Sequence, residues 1–481
     1  MDSRRNVRLV DLGNIEGTMT LEERILGRNI GIIGMARSGM AVARLALRRG
    51  GKPYVSDSAL ESKVLSQTVE LTKLGISYET GGHTERLLQS DYIIVSPGVP
   101  LSLEILQQAR TRGIPVFSEL EFGSWVCRGK IIAITGTNGK TTTTTLIGDI
   151  LKAAGHEAFI CGNIGLPLSE IADQINDNAY AVVEASSFQL ETIADFKPHV
   201  ALLLNLTSDH LDWHGGFENY KKAKYRITEN QNADNYFIVN KGDAEISSDN
   251  PASSARKIYF STVPLIESDI VVRDGSLCVK KDGQLVQVLS AKDILIPGPH
   301  NLQNAAAALA VGVALGLSLS TVALVLKRFP GVEHRLERAG RVAGVNFIND
   351  SKATNVDSVC YALKSVEQPI VLICGGRDKG GSYAPMIEAG RGKVKGLIAI
   401  GEAKEKIFVA LAKSFSTQFA SSLEEAVITA FELAMPGDTV LLSPGCSSFD
   451  MFENFEHRGR AFKAAVAGLR NGKKSNEKIS G

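Results

Sequence analysis

The segment that most constrains the fold is a glycine-containing loop between an apolar strand and a helix. In KIIAITGTNGKTTTTTLIGDILKAAG the apolar run ends at the loop GTNGKTT, residues 136–142, and Gly155 closes the helix that follows. Backbone N–H groups at such a helix start can hold phosphate, Lys140 can reach its outer oxygens, and Thr141 can bind magnesium. Ile134 stands where the strict G-x-x-x-x-G-K-[ST] pattern has its first glycine. An ordinary polar turn is the alternative, but Gly-Lys-Thr in this place favours a nucleotide-binding α/β domain.

Apolar runs that end in polar or glycine-rich residues recur in three series along the 481-residue chain. At roughly 100–200 residues per domain, this length predicts about two to four domains. We predict an α/β protein with three domains: a Rossmann-like N-terminal domain (1–118), a central P-loop-type ATPase domain (119–331) and a Rossmann-like C-terminal domain (332–481). The central domain is expected to have a parallel sheet plus a small antiparallel sheet, because residues 256–297 alternate in short runs with turns at Asp274-Gly275 and Asp282-Gly283.

Composition excludes several classes of protein. Lys+Arg number 53 and Asp+Glu 52, so the net charge of +1 lacks the field of a dedicated nucleic-acid or membrane-surface binder, and no nucleic-acid partner is expected. The six scattered cysteines form no C-x-x-C pair, which predicts neither a disulfide framework nor a zinc site. The N-terminus does not resemble a secretory signal, so we expect a cytoplasmic protein.

The uncharged stretch from Ala305 to Leu326 is long enough on paper for a membrane span. It is Ala-rich and interrupted at Gly316, which suits a helix end, and at Ser318 or Ser320, which suits the N-cap of a following helix. We therefore predict two buried helices and no membrane span.

A second glycine motif, GMARSG at 34–39, follows the first predicted strand, and Asp57 ends the second strand. This resembles the dinucleotide fingerprint G-x-G-x-x-G, but Ala36 occupies the middle glycine position, where a side chain hinders the approach of a pyrophosphate. Another nucleotide or a purely structural turn is favoured over NAD. A nicotinamide-dependent oxidoreductase would also leave the loop at Lys140 unexplained.

Polar residues at the predicted C-terminal strand ends are candidate metal ligands. Glu184, Asp209 with His210, and Asp350 hold such positions, where ligands bind in doubly wound sheets. Each has an ordinary alternative, since a carboxylate can cap a helix and many histidines are structural. Their shared placement favours a magnesium nucleotide, because magnesium prefers hard oxygen ligands. By contrast, pattern alone predicts that the basic run at 220–226 is a solvated helix face.

Taken together, the motifs resemble those of the Mur ligase family over residues from about 30 to 465. They are, in order, GTNGKTTT, EASSFQLE, TSDHLDWHGGFENYKKAK, HNLQN, EHRLE, NDSKATN, GGRDKG and PGCSSFDMFENFEHRG. The last four are similar to the pattern of family members that add D-glutamate. The chain also lacks the Asp-Asn-Pro-Arg signature of the member that adds the next amino acid.

The resemblance implies an ATP-dependent amide ligase of peptidoglycan synthesis. Its partners would be UDP-N-acetylmuramoyl-L-alanine and D-glutamate, its cofactors ATP and two Mg²⁺ ions, and no oligomer would be required, so a monomer is expected. The substrate carboxylate would be phosphorylated by ATP, and the amine of D-glutamate would then displace phosphate. Because the site draws on three domains, the resemblance implies an open and a closed form.

The resemblance also assigns residues to subsites. The catalytic residues would be Lys140, Glu184, His210 and Lys224, the last as a carbamate, with Thr141, Glu184, His210 and Lys224 as metal ligands. ATP would contact Gly136, Thr137, Asn138, Gly139, Lys140, Thr141, Thr142, Asn301, Arg335 and Asp350. The UDP-substrate would contact Met35, Arg37, Ser38, Asp57, Gly98, Asn138, Asn163 and Ser186. The amino acid would contact Lys352, Thr354, Lys379, Ser448 and Phe455.

Three alternatives stay open at this point. The nearest is a sister Mur or folylpolyglutamate-type ligase that adds another amino acid. A non-catalytic nucleotide-binding regulator would retain Lys140 but would not need the further metal-ligand candidates. The oxidoreductase would leave the third domain without a role.

Overall fold

The computed structural model describes residues 24–263, 267–296, 298–367, 369–378 and 380–479 of the chain, without the side chains at 212, 357 and 471–479. The described residues up to Leu295, together with His300–Phe329, form one compact unit. Ile296–Pro299 and the residues from Pro330 onward form a second. Each unit is built mainly from parallel strands covered by helices.

The N-terminal part of the first unit is a five-stranded parallel sheet of strand order β3-β2-β1-β4-β5, as in a Rossmann-like half. Its strands are β1 (Asn29–Ile33), β2 (Lys52–Asp57), β3 (Ser77–Thr80), β4 (Tyr92–Val95) and β5 (Val116–Ser118). The inner strands β1 and β4 are apolar and largely buried, as expected for a parallel sheet covered on both faces. The helices are α1 (Arg37–Arg48), α2 (Leu65–Lys73), α3 (Glu104–Thr111) and α4 (Glu119–Val126). The predicted first strand before the glycine motif and the second strand ending at Asp57 are confirmed.

The central part of the same unit is a nine-stranded sheet of order β14-β13-β12-β11-β10-β9-β6-β8-β7. Strands β9 (Val200–Leu203), β6 (Lys130–Thr135) and β8 (Tyr180–Glu184) are consecutive in this sheet and buried along most of their length. The others are β7 (Ala158–Gly162), β10 (Tyr236–Asn240), β11 (Arg256–Ser261), β12 (Ile270–Arg273), β13 (Ser276–Lys281) and β14 (Gln284–Ser290). The helices are α5 (Lys140–Ala153), α6 (Leu168–Ile171), α7 (Ser187–Leu190), α8 (Leu211–His214), α9 (Phe217–Tyr225), α10 (Ala244–Asp249), α11 (Pro299–Ala314) and α12 (Leu319–Arg328).

The sequence predicted a small additional antiparallel sheet, but the structure has no separate sheet there among the described residues. β11 and β12 continue the parallel part, and β13 and β14 pair antiparallel at its edge, so all nine strands form one mixed sheet. The turns at Asp274-Gly275 and Asp282-Gly283 are confirmed, with positive φ at all four residues, which suits tight hairpins. Sequence alternation identified the hairpins but not the strand to which they add.

The uncharged stretch forms two helices, α11 and α12, as predicted. Gly316 has φ +68° after the first helix, and Ser318 is the N-cap of the second. Among the described residues, none of the helices combines the length and apolar character that a membrane crossing demands.

The second unit contains a six-stranded sheet of order β15-β16-β20-β17-β18-β19. Only β15 is antiparallel to its neighbour, and the other pairings are parallel. The strands are β15 (Glu337–Val342), β16 (Val345–Asn349), β17 (Ile370–Gly375), β18 (Val394–Ile400), β19 (Thr417–Phe419) and β20 (Thr439–Leu442). The helices are α13 (Val356–Ser365), α14 (Pro385–Gly390), α15 (Lys404–Leu411), α16 (Leu423–Leu433) and α17 (Phe455–Ile479).

Within the first unit, buried carboxylates join the N-terminal and central parts. Glu121 in α4 accepts hydrogen bonds at 2.9 Å from three consecutive backbone N–H groups, those of residues 194–196. Glu119 accepts one at 2.7 Å from the backbone N–H of Ser169. Three ion pairs add to this connection: Arg24–Asp195 and Arg44–Glu170, both at 2.6 Å, and Arg48–Asp173 at 2.8 Å.

Candidate active site

The loop between β6 and α5 depends on glycine at two positions. Gly136 has φ +149° and Gly139 φ +84°, a backbone region that side chains disfavour. A Cβ on Gly139 would lie 2.3 Å from Oδ1 of Asn304, and one on Gly136 would lie 2.9 Å from Cβ of Leu204. The loop therefore packs closely against neighbouring segments, and its backbone leads directly into the N-terminus of α5.

Lys140 is folded over this loop. Its Nζ donates to the carbonyl oxygens of Gly136 at 2.8 Å and Thr137 at 2.7 Å, and the side chain is half-buried. These contacts place a positive charge above the N-terminus of α5, where phosphate oxygens bind in loops of this kind.

Thr141, Glu184 and Asn163 meet at the ends of neighbouring elements. The hydroxyl of Thr141 donates to Oε2 of Glu184 at 2.7 Å, and Nδ2 of Asn163 donates to Oε1 at 3.0 Å. Glu184 ends β8 and is 2% exposed. The hydroxyl and the carboxylate are hard oxygen donors, so this pair fits a magnesium ion.

Lys224 lies beside the same loop and is buried. The prediction that the basic run at 220–226 is a solvated helix face is therefore wrong for this residue. It is 1% exposed, and its Nζ donates to the Gly136 carbonyl at 2.8 Å and contacts the Thr135 hydroxyl at 3.5 Å. Burial, reinforced by the charge of Lys140, holds the pKa of Lys224 well below its usual value, against the attraction of Asp209 and Glu184. Lys221 is buried too, with ion pairs to Glu218 and Asp249, whereas Lys222 is exposed as predicted.

His210 precedes the short helix α8 in a left-handed conformation, with φ +51°. Its ring lies 4.8 Å from that of Phe188, and Nε2 lies 3.5 Å from Oδ2 of Asp209. Burial lowers the pKa of His210, with smaller contributions in the same direction from Lys140 and Lys224, while Asp209 opposes them. The imidazole is therefore neutral at physiological pH and fits the role of a metal ligand.

Two asparagines that sequence reasoning missed hold the phosphate loop. Oδ1 of Asn205 accepts from the N–H of Asn138 at 2.8 Å, and its Nδ2 donates to the Asn138 carbonyl at 3.0 Å. Oδ1 of Asn304 accepts from the Thr143 hydroxyl at 3.2 Å, and its Nδ2 donates to the predicted nucleotide contact Asn301 at 3.1 Å. Asn205 follows β9, and Asn304 belongs to the HNLQN motif, the only sequence signals for them.

The other predicted residues of the loop and its surroundings have structural partners. Thr137 donates to the carbonyl of Thr207 at 3.1 Å and lies 3.0 Å from the hydroxyl of Tyr220. Thr142 is buried in the first turn of α5. Ser186 is the N-cap of α7 and forms a capping box with Gln189.

The predicted UDP-substrate residues of the N-terminal part gather at the ends of β1, β2 and β4. Oδ2 of Asp57 accepts from the N–H of Met35 at 2.6 Å, and Arg37 is exposed with a 3.3 Å contact to the carbonyl of Gly165. Ser38 is half-buried in α1, and Gly98 lies in the turn after β4 with φ +88°.

The two motif glycines of this part have a packing explanation. A Cβ on Gly39 would lie only 1.7 Å from the carbonyl oxygen of Gly34, so the start of α1 packs directly against the turn. A Cβ on Gly34 would lie 2.7 Å from the Ser96 hydroxyl. Neither glycine therefore requires a bound dinucleotide to account for it.

In the second unit, Arg335 and Asp350 lie close to each other. Oδ2 of Asp350 accepts from the Ser443 hydroxyl at 2.8 Å and Oδ1 from the N–H of Leu336 at 3.2 Å. Burial raises the pKa of Asp350 to about 7, although Arg335 and Ser443 act to lower it. Nε of Arg335 is buried and has no hydrogen-bond partner among the described residues, so this donor remains available to an acceptor such as a phosphate oxygen.

The predicted amino-acid residues that the structure describes lie on three segments of this unit. Nζ of Lys352 lies 5.6 Å from the ring centroid of Phe455, and Thr354 is two residues further along the same segment. Ser448 is buried in the segment between β20 and α17. Lys379 lies outside the described residues.

A glycine-bearing loop with a lysine, a threonine and a nearby carboxylate, in a parallel sheet, defines a phosphate-loop nucleotide-binding protein of the α/β class. Three family models cover successive parts of the chain: Mur ligase MurD-like, N-terminal domain (28–118); Mur ligase middle domain (134–312); and Mur ligase, glutamate ligase domain (334–446). The chain belongs to the Mur ligase family, whose members are ATP-dependent.

Curated relatives are similar over nearly the full length. The UDP-N-acetylmuramoylalanine--D-glutamate ligase of Alkaliphilus oremlandii is 42% identical over 94% of this chain and 100% of the relative. The protein of the same name from Geobacter sp. strain M21 is 43% identical over 93% and 98%.

Solved structures show the same fold. The UDP-N-acetylmuramate-alanine ligase MurC of Thermotoga maritima matches with a TM-score of 0.58 at 20% identity, over 92% of this chain and 99% of that one. The MurF ligase of Thermotoga maritima, a complex with ADP, matches with a TM-score of 0.57 at 17% identity, over 94% and 97%. The predicted three-domain α/β class and the family resemblance are confirmed.

Proposed function

We propose that this chain is an ATP-dependent ligase that joins D-glutamate to the alanine carboxylate of UDP-N-acetylmuramoyl-L-alanine in peptidoglycan synthesis. The observation that carries the proposal is the 42% identity, over 94% of the chain, to a curated ligase of that name. The arrangement of Lys140, Glu184 and Lys224 around one loop supports it, because phosphoryl transfer is mainly a matter of positioning and charge stabilisation.

The chemistry proceeds in two steps. An oxygen of the alanine carboxylate attacks the γ-phosphorus of ATP, and the bond from that phosphorus to the β,γ-bridging oxygen breaks. The products are ADP and an acyl phosphate. The neutral amine of D-glutamate then attacks the acyl carbon, and phosphate leaves as the amide forms and the nitrogen loses a proton. Lys140 supports the first step by placing its ammonium near the transferring group, where negative charge is spread over the oxygens.

Two magnesium sites are part of the proposal. Thr141 and Glu184 would hold the first ion, and His210 together with Lys224 the second. Magnesium, when bound, neutralises phosphate charge. An ammonium at Lys224 does not suit a cation site, but the depressed pKa of Lys224 favours a neutral amine, which adds to carbon dioxide and releases a proton to give an anionic carbamate.

The remaining predicted residues define three subsites. Gly136–Thr142, Asn301, Arg335 and Asp350 would contact ATP, and the orphan Nε of Arg335 supports that role. Met35, Arg37, Ser38, Asp57, Gly98, Asn138, Asn163 and Ser186 would contact the UDP-substrate, and Lys352, Thr354, Lys379, Ser448 and Phe455 would contact D-glutamate. The proposal includes a C-terminal domain that moves to complete the site, a monomer, and action in the cytoplasm, which the six free cysteines support.

The deciding experiment is ATP-dependent phosphate release with UDP-N-acetylmuramoyl-L-alanine present. D-glutamate should support turnover, whereas L-glutamate, L-alanine and meso-diaminopimelate should not, and omission of the UDP-substrate should abolish it. Turnover with another amino acid would indicate a sister ligase instead. Lys140→Ala serves as the inactive reference, and it controls for phosphate released by a contaminating ATPase.

A further inference from the structure

Arg458, in the first turn of α17, is a fully buried guanidinium. It is 1% exposed and belongs to the EHRG sequence, to which none of the proposed subsites assigns a role. An arginine has five N–H donors, and burying its charge is costly unless they are used. Among the described residues, none of its hydrogen bonds goes to a carboxylate.

All five donors of Arg458 are used on backbone and hydroxyl oxygens. Nε donates to the Ser351 hydroxyl at 3.0 Å. One terminal nitrogen donates to the carbonyls of Cys446 at 3.2 Å and Ser447 at 3.4 Å, and the other to those of Ser351 at 2.9 Å and Cys446 at 3.2 Å. The Ser351 hydroxyl in turn donates to the carbonyl of Phe455 at 2.8 Å.

These contacts connect the three described segments of the proposed amino-acid site. Ser351 precedes Lys352 and Thr354, Ser447 precedes Ser448, and Phe455 belongs to the site itself. One planar side chain therefore sets the spacing of all three segments. The neighbouring backbone is fitted to it, since a Cβ on Gly376 would lie 3.2 Å from a terminal nitrogen of Arg458.

The charge of Arg458 also bears on which amino acid binds. Burial lowers the pKa of Arg458 to about 10, so the group is still protonated at neutral pH. A buried positive charge without a bonded carboxylate favours anions nearby, because screening by water is weak there. Lys352, over the Phe455 ring, adds a second positive charge on the same segments.

We propose that Arg458 is a positioning residue for the amino-acid site, which holds its three segments in register and supplies a buried charge that favours a dicarboxylate over its amide. The inference rests on the proposed function, because it takes D-glutamate as the amino acid. Arg458 does not contact the substrate, since its five donors are already bonded to the protein.

The test compares Arg458→Lys and Arg458→Met with the wild type by steady-state kinetics and thermal unfolding. We expect the KM for D-glutamate to rise at least ten-fold in both variants, while the KM for ATP and that for the UDP-substrate change by less than about two-fold. Arg458→Met should also lower the preference for D-glutamate over D-glutamine, and Arg458→Lys should lower it less because it keeps the charge. The exposed Arg460, two residues further along α17, gives the matched control Arg460→Met.

A less disruptive variant keeps the test possible if the Arg458 variants fail to fold. Ser351→Ala removes only the hydroxyl between Arg458 and the Phe455 carbonyl, and it should raise the KM for D-glutamate several-fold. Two results would overturn the inference. One is a parallel rise in the KM values for ATP and D-glutamate together with a lower melting temperature. The other is an unchanged KM for D-glutamate in both Arg458→Lys and Ser351→Ala. A wild type that releases no phosphate with D-glutamate would instead overturn the proposed function, and this is measured first.

Discussion

Lys140 and Lys224 donate to the same acceptor, the carbonyl oxygen of Gly136, each at 2.8 Å. Two ammonium groups on one oxygen repel each other, and Lys224 is the more deeply buried of the two. The balance favours a charged Lys140 and a neutral Lys224. One carbonyl thus brings together a cation suited to phosphate and an amine suited to carbon dioxide.

We predict that Lys224→Ala abolishes ligation and that bicarbonate stimulates the wild type but not the variant. The physical reason is that a carbamate requires the neutral amine, which burial provides. As the pH falls the amine becomes protonated, so stimulation should decline on the acid side. A ¹³C carbamate signal from labelled bicarbonate checks this, with Lys222→Ala, an exposed neighbour, as control. An unmodified Lys224 in the magnesium- and nucleotide-bound protein would contradict it.

Lys140→Ala should abolish ligation while the fold is retained. Removal of a charge aimed at a transferring phosphoryl group costs about 100- to 1,000-fold or more in rate. The measurement is phosphate release alongside circular dichroism, with the exposed Lys152→Ala of the same helix as control. Near-normal turnover in Lys140→Ala would exclude the assigned role of the loop.

Asp350→Asn should change stability in a pH-dependent way. The folded pKa of Asp350, about 7, exceeds the value of about 3.9 expected in an unfolded chain. The stabilising contribution of the proton is therefore present in acid and is lost as the pH rises through 7. Asparagine keeps an acceptor for Leu336 and can donate to Ser443, so the melting temperature of the variant should exceed that of the wild type at pH 8 and the gain should shrink by pH 5. An equal gain at both pH values would count against the raised pKa.

Gly39→Ala should destabilise the first unit by about 1–3 kcal/mol, because the added methyl group collides with the Gly34 carbonyl and the backbone must shift. Gly468→Ala is the matched control: its position in α17 is open, and alanine should stabilise the helix by roughly 0.5–1 kcal/mol. Denaturant unfolding of both variants checks the sign of each change. Equal stability of Gly39→Ala and the wild type would show that the turn can move.

The N-terminal part should not bind nicotinamide dinucleotides. Ala36 obstructs the approach of a pyrophosphate, and packing already accounts for Gly34 and Gly39. Calorimetric titration with NAD should give no saturable binding, whereas the UDP-substrate should bind. Tight NAD binding that competes with uridine diphosphate would refute this prediction.

Strands and loops could be predicted from the sequence more completely than the burial of individual side chains. The strands ending at Asp57 and Glu184 and the loop at Lys140 followed from apolar runs and glycine placement, which are local signals. The burial of Lys221 and Lys224 could not be seen in this way, because a basic helix face is ordinarily solvated. Lys224 is buried where α9 packs against the loop, and Lys221 where it forms ion pairs with Glu218 and with Asp249 of α10. Asn205 bonds to Asn138 and Asn304 to Thr143 over long sequence separations, so no local pattern indicates these partners.

The buried carboxylates of α4 restrict how the protein can be divided in the laboratory. A fragment that ends near residue 118 would lack Phe122 and Trp125, which pack in the apolar cluster of the N-terminal part. Screening compounds against such a fragment would therefore sample an altered surface. A fragment that ends after α4 would instead leave the N–H groups of Ser169 and of residues 194–196 without their carboxylate acceptors in the remainder. Chimeras that exchange the N-terminal part between relatives must therefore also exchange α4 and the backbone segments that donate to its carboxylates.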